Sequence, residues 1–320
     1  MNRVPILRST DIEQAVSCLA SGGLVALPTE TVYGLGAAIT EPEAIIRIFE
    51  VKGRPLNHPL IVHVSDWEMA QPLIAQPLQE YVSALVRAFT PGPITLILPK
   101  SDAVSDAITG GQDSVGIRIP KHPVTHLIIE KLGVAVAAPS ANKFGEVSPT
   151  SAIHVFHDLK DVLNAERDAI MDGGESEIGL ESTIVDCRSD VPKILRPGAI
   201  TEEMIRDIVA SVESVSTPEI RVSGALEKHY SPHALVRIVN SFEDVKSGTS
   251  LVGFIALEQV PTPSQAIRLA MPHDEIEFAQ VLYDALRRGD ELNVQEVFVV
   301  VPEDTGIGVA IRDRISRAAH

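Results

Sequence analysis

The chain has 320 residues, 45% hydrophobic and 22% charged, with two cysteines and a formal charge of −16 when histidines are neutral. That length accommodates two ordinary cores, and the acidic balance excludes a broad, nonspecific nucleic-acid binder, because phosphate backbones are repelled unless cations gather locally. Cys18 and Cys187 are too few and too far apart for a disulfide or zinc framework, and neither a leader pattern nor an apolar run of membrane-spanning length is present, so a soluble cytoplasmic protein is expected.

Thr10 and Glu13 predict a capping box for a helix over 11–20, closed by Gly22 and Gly23. Residues 24–27 read as a buried strand. Pro28 then opens a polar loop, PTETVYGLGA, in which Gly34 and Gly36 let backbone approach a ligand. Thr40 and Glu43 repeat the capping signal for a helix that presents Ile45, Ile46, Ile48 and Phe49 and stops before the loop KGRPLNHPL. Strands are expected over 60–64, 94–98, 114–119, 134–138 and 170–174, with helices over 78–89, 125–131 and 151–159 between them. ESTIVD and ILRPG predict paired strands around a polar turn, and Thr201 begins a helix to about 209. Ser211 to Pro218 reads as a linker. Beyond it, strands over 235–239, 251–256, 267–270 and 297–301, with helices over 275–288 and from Gly308, predict a small three-layer α/β domain.

Several polar side chains fall beside these elements. Lys52 and Arg54 either touch different oxygens of one polyphosphate or form a solvated basic corner. Arg118 and Arg196 each follow an apolar strand, from which their guanidiniums can reach a common cleft. Ser140, Asn142 and Ser148 either orient a nucleotide or close loops and cap helices. Thr29, Thr31 and Tyr33 carry the same ambiguity, Tyr33 being the most prone to be an amphipathic core residue, and so do Ser182 and Thr183. His63 contacts a carboxylate or is a satisfied core-edge histidine, and His58 shapes its loop. His229 and Tyr230, beside Lys228, either cover a bound nucleotide or stabilise a domain interface. No Walker A, GxGxxG or zinc signature occurs, so a nucleotide site needs another architecture.

Taken together and in order, PTETVYGLGA, KGRP with HPL, SVGIRIP, PSAN with SPT, ESTIVD, ILRPG and KHYSP resemble the YrdC-type threonylcarbamoyl-AMP synthases in their longer, two-domain form. The resemblance implies a twisted, β-rich catalytic domain with a large concave cleft over 1–206. It also implies an interdomain linker and cover over 207–233 and a Rossmann-like α/β domain over 234–320. The implied chemistry joins L-threonine, bicarbonate or CO2 and ATP into threonylcarbamoyl-AMP and pyrophosphate, with Mg2+ on the phosphates and no metal ligand identified. A downstream tRNA threonylcarbamoyl-transfer enzyme would consume the product, without stable tRNA binding here. By resemblance, Lys52 and Arg54 bind ATP phosphates, and Ser140 and Asn142 hold phosphate and ribose, supported by Ser148 and Arg196. Thr29, Tyr33, His63, Arg118 and Ser182 face threonine and its carbamate, and His229 and Tyr230 cover the intermediate. Phe144 stands where similar proteins often carry a small polar residue. Two other readings are an RNA-binding accessory protein, disfavoured by the acidic charge, and a carbamoyl-transfer module, disfavoured by the lack of added cysteine pairs.

Overall fold

Short apolar runs between glycine- and proline-rich turns give strands rather than long helices, and those strands collect into two sheets. The computed structural model describes residues 3–215, 219–224, 229–245 and 251–319; Pro218 and Lys228 lie outside the described residues. Among the described residues, eleven strands form one sheet in the order Ile6–Arg8, Ala169–Asp172, Val25–Leu27, Gly34–Ala38, Val136–Ala138, Ile61–His63, Ser114–Arg118, Ile94–Pro99, Thr183–Asp186, Lys193–Arg196 and Glu213–Ser214. Pairings within it are mixed: Ile61–His63 runs parallel to Ser114–Arg118 and antiparallel to Val136–Ala138. Its central strands are buried on both faces, as their mostly apolar content requires.

The second sheet is all parallel, in the order Leu235–Val239, Glu296–Val300, Val252–Ile255 and Ala266–Ala270. Helices Glu275–Glu291 and Gly308–Ala318 pack on one face through Phe278, Leu282, Tyr283, Ile311 and Ile315. The 3-10 turn Phe242–Asp244 and Val245 cover Phe254 and Phe298 on the other. The predicted mixed α/β architecture, with a larger β-rich region before a small α/β one, is the observed one. No described helix is long and apolar enough to cross a membrane.

Local signals decided several boundaries. Ser151, Thr201 and Asp274 cap their helices by accepting the amides of His154, Met204 and Glu277. The two expected capping boxes do not form. Helix Ile12–Ala20 starts at Asp11, whose carboxylate is taken by the Arg8 backbone and guanidinium, and helix Pro42–Lys52 follows Glu41 with no side-chain cap. That second helix also runs one residue further than predicted. It includes Lys52 and ends at Gly53, whose φ of 64° closes it in the left-handed region. Gly34–Ala38 is a strand rather than the end of a loop. A Cβ at Gly36 would stand 2.8 Å from Val136 Cγ1 and 3.0 Å from Leu27 Cδ1, so this glycine serves sheet packing and not ligand approach.

Candidate active site

A narrow cavity of about 50 Å³ opens where the strands carrying Arg118 and His63, the turn after Val136–Ala138, and the turns around Ser182 and Arg196 converge. Its wall includes Thr29, Arg54, His63, Arg118, Ser140, Ser182, Arg196, His229 and Tyr230, together with Gly34, Glu181, Ser223 and Gly224. Residues from seven separated stretches of sequence thus face one space.

At one end, register does the positioning. His63 and Arg118 are directly paired across parallel strands. Arg118 Nη2 donates to Glu30 Oε1 at 2.8 Å and to Thr31 Oγ1 at 2.8 Å, and reaches Thr29 Oγ1 at 3.5 Å. Glu30 is 2% exposed, and its second oxygen accepts the Lys121 amide at 3.0 Å. Burial alone would raise the Glu30 pKa, but Arg118 lowers it on balance, so this is a buried ion pair. Thr29 Oγ1 also donates to the Val32 carbonyl at 2.6 Å, which folds the PTETV turn. Among the described residues the buried Arg118 Nε has no partner.

The other end gathers guanidiniums. Arg196 Nη2 donates to the Ser182 carbonyl at 2.8 Å and to Ser182 Oγ at 3.1 Å; Thr95 Oγ1 holds that hydroxyl at 2.8 Å. Arg196 Nη1 donates to the Ser223 carbonyl at 2.8 Å, while Arg54 Nη2 reaches Ser223 Oγ at 3.2 Å. Two arginines from distant loops therefore meet on one residue. Burial lowers the Arg54 pKa to about 10 and lowers that of Arg196. Arg54 lies 5.6 Å from the Phe144 ring centroid, so the residue that departs from the small polar pattern shields a guanidinium face. Gly224 is required here: its φ is 80°, and a Cβ would lie 2.3 Å from the Tyr230 hydroxyl.

Lys52, Asn142, Ser148 and Tyr33 stand behind this wall rather than in it. Lys52 Nζ donates to the Ser140 carbonyl at 2.7 Å and to the Asn142 carbonyl, which sets the shape of the SAN turn. Burial, reinforced by Arg54, pushes its pKa well down. The Asn142 amide donates to the Lys143 and Glu146 carbonyls at 2.9 and 2.7 Å, and among the described residues its buried oxygen has no partner. Ser148 Oγ donates to Glu181 at 2.6 Å. Tyr33 is the one expected threonine contact that the geometry redirects. It is fully buried, donates to the Gly174 carbonyl at 2.6 Å and accepts the Gly173 amide at 3.1 Å, because a core tyrosine must satisfy its hydroxyl locally.

Sequence reasoning passed over Glu30 and Glu181, although each sits in a motif it quoted. The available signal was charge balance: arginines delivered by buried strands need carboxylates, and these are the acidic residues beside the right turns. Glu181 accepts from Ser148 Oγ, from Tyr283 OH at 2.9 Å and from Arg314 Nε at 2.8 Å. Burial opposes its charge, yet Arg314 and Arg196 bring its pKa down to about 2. Arg314 was legible too, as the one cation on the apolar face formed by Ala310, Ile311, Ile315 and Ala318.

The histidines of the wall are neutral. Burial, with Arg118 beside it, takes His63 from 6.5 to about 3, and burial takes His229 to about 3 against the opposing charge of Glu181. Between those limits the unfolded chain binds protons that the folded one refuses, so stability falls as pH drops from 6.5 toward 3. Each histidine is expected to contribute a slope of up to about 1.4 kcal/mol per pH unit across that window. Urea midpoints of His63→Gln between pH 7 and 5 should show a shallower decline than the parent; parallel curves would contradict the assignment.

Among the described residues, no group of three or more His, Cys, Asp or Glu is placed to hold a metal ion. The two wall-side carboxylates, Glu30 and Glu181, are each committed to a buried arginine, so the donor set does not fit a resident metal cage.

Comparison with known proteins bears on this arrangement as a whole. The Sua5–YciO–YrdC family, described as telomere recombination, matches residues 17–198, and the family described as the threonylcarbamoyl-AMP synthase C-terminal domain matches residues 200–320. The threonylcarbamoyl-AMP synthase of Bacillus subtilis is 38% identical, covering 96% of this chain and 92% of its own. That of Pyrococcus abyssi is 36% identical, covering 96% and 94%. The crystal structure of Pyrococcus abyssi Sua5 complexed with L-threonine superposes with a TM-score of 0.89 at 34% identity over 99% of this chain and 97% of that one. With both family profiles matched in sequence along one chain, and full-length relatives sharing the whole architecture, the chain belongs to the two-domain threonylcarbamoyl-AMP synthase family.

Proposed function

We propose that this protein makes threonylcarbamoyl-AMP from L-threonine, bicarbonate or CO2 and ATP, releasing pyrophosphate. The observation that carries the reading is one cavity with Arg118, Thr29 and His63 at one end and Arg54 and Arg196 at the other, an arrangement suited to an amino-acid carboxylate beside a nucleotide phosphate. The structure of a relative bound to L-threonine supports the first half of that assignment.

The chemistry balances without a protein nucleophile. Threonine's neutral amine adds to CO2 and loses a proton, giving an N-carboxylate. One oxygen of that carboxylate attacks the α-phosphorus of ATP, and the bond to the bridging oxygen of the β-phosphate breaks. Arg118, through its unpartnered Nε, and Thr29 hold the carboxylate end. Arg54 and Arg196 offset charge developing on the phosphates, and Ser182 is fixed between Thr95 and Arg196. Lys52 acts through the SAN turn that it holds, placing Ser140 at the wall and Asn142 behind it, while Ser148 is held behind the wall by Glu181. Mg2+ belongs to this scheme as part of the ATP complex that enters as substrate.

Nucleotide entry requires the linker to move. The cavity of about 50 Å³ is far below the roughly 300–1,000 Å³ of small-molecule sites, and Ser223 occupies donors of both Arg54 and Arg196. Phosphate oxygens would replace the Ser223 hydroxyl and carbonyl, and the segment with His229 and Tyr230 would close again over the adenylate. We assign consumption of that product to a downstream enzyme that transfers the threonylcarbamoyl group to tRNA in the cytoplasm. No stable tRNA contact is needed in this chain.

Mass analysis of products from ATP, L-threonine and labelled bicarbonate tests the reading. The expected result is label in a threonine-bearing adenylate, with one pyrophosphate per adenylate formed. Protein that binds ATP but forms no such adenylate would refute it.

A further inference from the structure

Tyr230 forms part of the cavity wall with a backbone φ of 61°, a left-handed conformation that a bulky residue keeps only when its surroundings hold it there. Those surroundings come from the helices of the second sheet. The Tyr283 ring, on helix Glu275–Glu291, stacks on Tyr230 at 5.6 Å and 24°. The Arg314 guanidinium, on helix Gly308–Ala318, lies 5.3 Å over the other aromatic partner of that stack, the Tyr230 ring itself.

Both side chains are anchored across the boundary between the sheets. Glu181, from the turn that precedes strand Thr183–Asp186, accepts the Tyr283 hydroxyl at 2.9 Å and Arg314 Nε at 2.8 Å. Arg314 Nη2 donates to the Pro197 carbonyl at 3.0 Å, one residue beyond Arg196. The backbone of the cover is tied on both sides as well: the His229 amide donates to the Arg317 carbonyl at 3.2 Å, and the Ser231 amide to the Gly145 carbonyl at 3.0 Å. An arginine with 0% exposure is a costly way to fill space, and none of the chemistry assigned above uses it.

We propose that the C-terminal α/β unit is a positioning part of the active site: Tyr283 and Arg314 hold the Tyr230 ring against the cavity and fix the turns that present Ser182 and Arg196. The catalytic half of this proposal rests on the adenylate-forming reading; the structural half stands apart from it.

Two variants of the full-length protein separate these halves. Tyr283→Leu removes the stacked ring, and Arg314→Lys keeps a cation for Glu181 while losing the planar guanidinium over Tyr230 and its second bond. Threonine-dependent pyrophosphate release is expected to fall on the order of 10–100-fold in kcat/KM for both, whereas Tyr283→Phe, which retains the ring and loses only the bond to Glu181, falls less than Tyr283→Leu. Amide hydrogen exchange at residues 229–231 is expected to accelerate in the Leu and Lys variants and not in the Phe variant. Unchanged exchange at 229–231 in folded Tyr283→Leu and Arg314→Lys overturns the proposal, whatever their activity. If the parent itself releases no pyrophosphate with threonine, the reaction assignment fails while exchange still decides the positioning role.

Discussion

Arg196→Ala is expected to lower kcat/KM for threonine-dependent adenylate formation by about 10²–10³-fold, the usual cost of losing one preorganised donor to developing charge. The expectation comes from where its donors point. Nε and Nη2 grip the Ser182 carbonyl, and Nη1 projects to Ser223, the atom cluster that a phosphate would displace. Alanine removes both the charge and the brace on the Ser182 turn, so kcat and ATP affinity should suffer together. Arg196→Lys keeps a cation but cannot span Ser182 and Ser223 at once, and should fall between the parent and alanine. Arg54→Ala tests the same phosphate end from the opposite loop. Among the described residues its guanidinium hydrogen-bonds Pro59 and Ser223 and lies over Phe144, so its loss should fall mainly on ATP binding with less disturbance of the wall. Pyrophosphate release measured against ATP concentration distinguishes these cases. An Arg196→Ala protein with parental kcat/KM would remove the phosphate end of the site.

Glu30→Gln is expected to destabilise the fold by about 3–5 kcal/mol, because it strands a buried guanidinium without its counter-charge. Arg118 is 5% exposed and Glu30 2%, and the pair is 2.8 Å apart. A loss of that size is a large share of the roughly 5–15 kcal/mol that holds a typical domain folded. Glu30→Gln with Arg118→Met replaces the pair without leaving a lone charge and should recover much of the stability. The double variant should still fail to use threonine, since the carboxylate-binding cation is gone. Urea unfolding of the three proteins, with threonine titrations on those that fold, checks both statements. A Glu30→Gln midpoint equal to the parent's would mean that the ion pair is not what holds Arg118 in place.

Most of the site was readable as motifs and little of it as geometry. Ser140, Arg118 and Arg196 could be placed at strand ends because apolar runs precede them, and the structure brings all three to one wall. Strand pairing could not be read in the same way. That His63 faces Arg118 depends on a parallel register between segments more than fifty residues apart, which no local pattern specifies. Resemblance puts Tyr33 on the threonine side of the cleft, while its residue type suits an amphipathic core position. Its hydroxyl is instead satisfied by Gly173 and Gly174, partners that only the folded sheet brings near. The first capping box fails because its members are engaged elsewhere: Thr10 Oγ1 donates to Asp11 and Glu13 pairs with Lys131. Glycines were ambiguous in principle, since Gly34 at the cavity and Gly36 in the packed sheet carry the same letter two positions apart.

Lys52 holds the SAN turn by its carbonyl oxygens, so the path of that turn does not depend on the side chain that Ser140 shows to the cavity, whereas the Asn142 side chain is itself a brace through the Lys143 and Glu146 carbonyls. The wall can therefore be altered at position 140 without rebuilding the frame, whereas Lys52 and Asn142 behind it admit no comparable freedom.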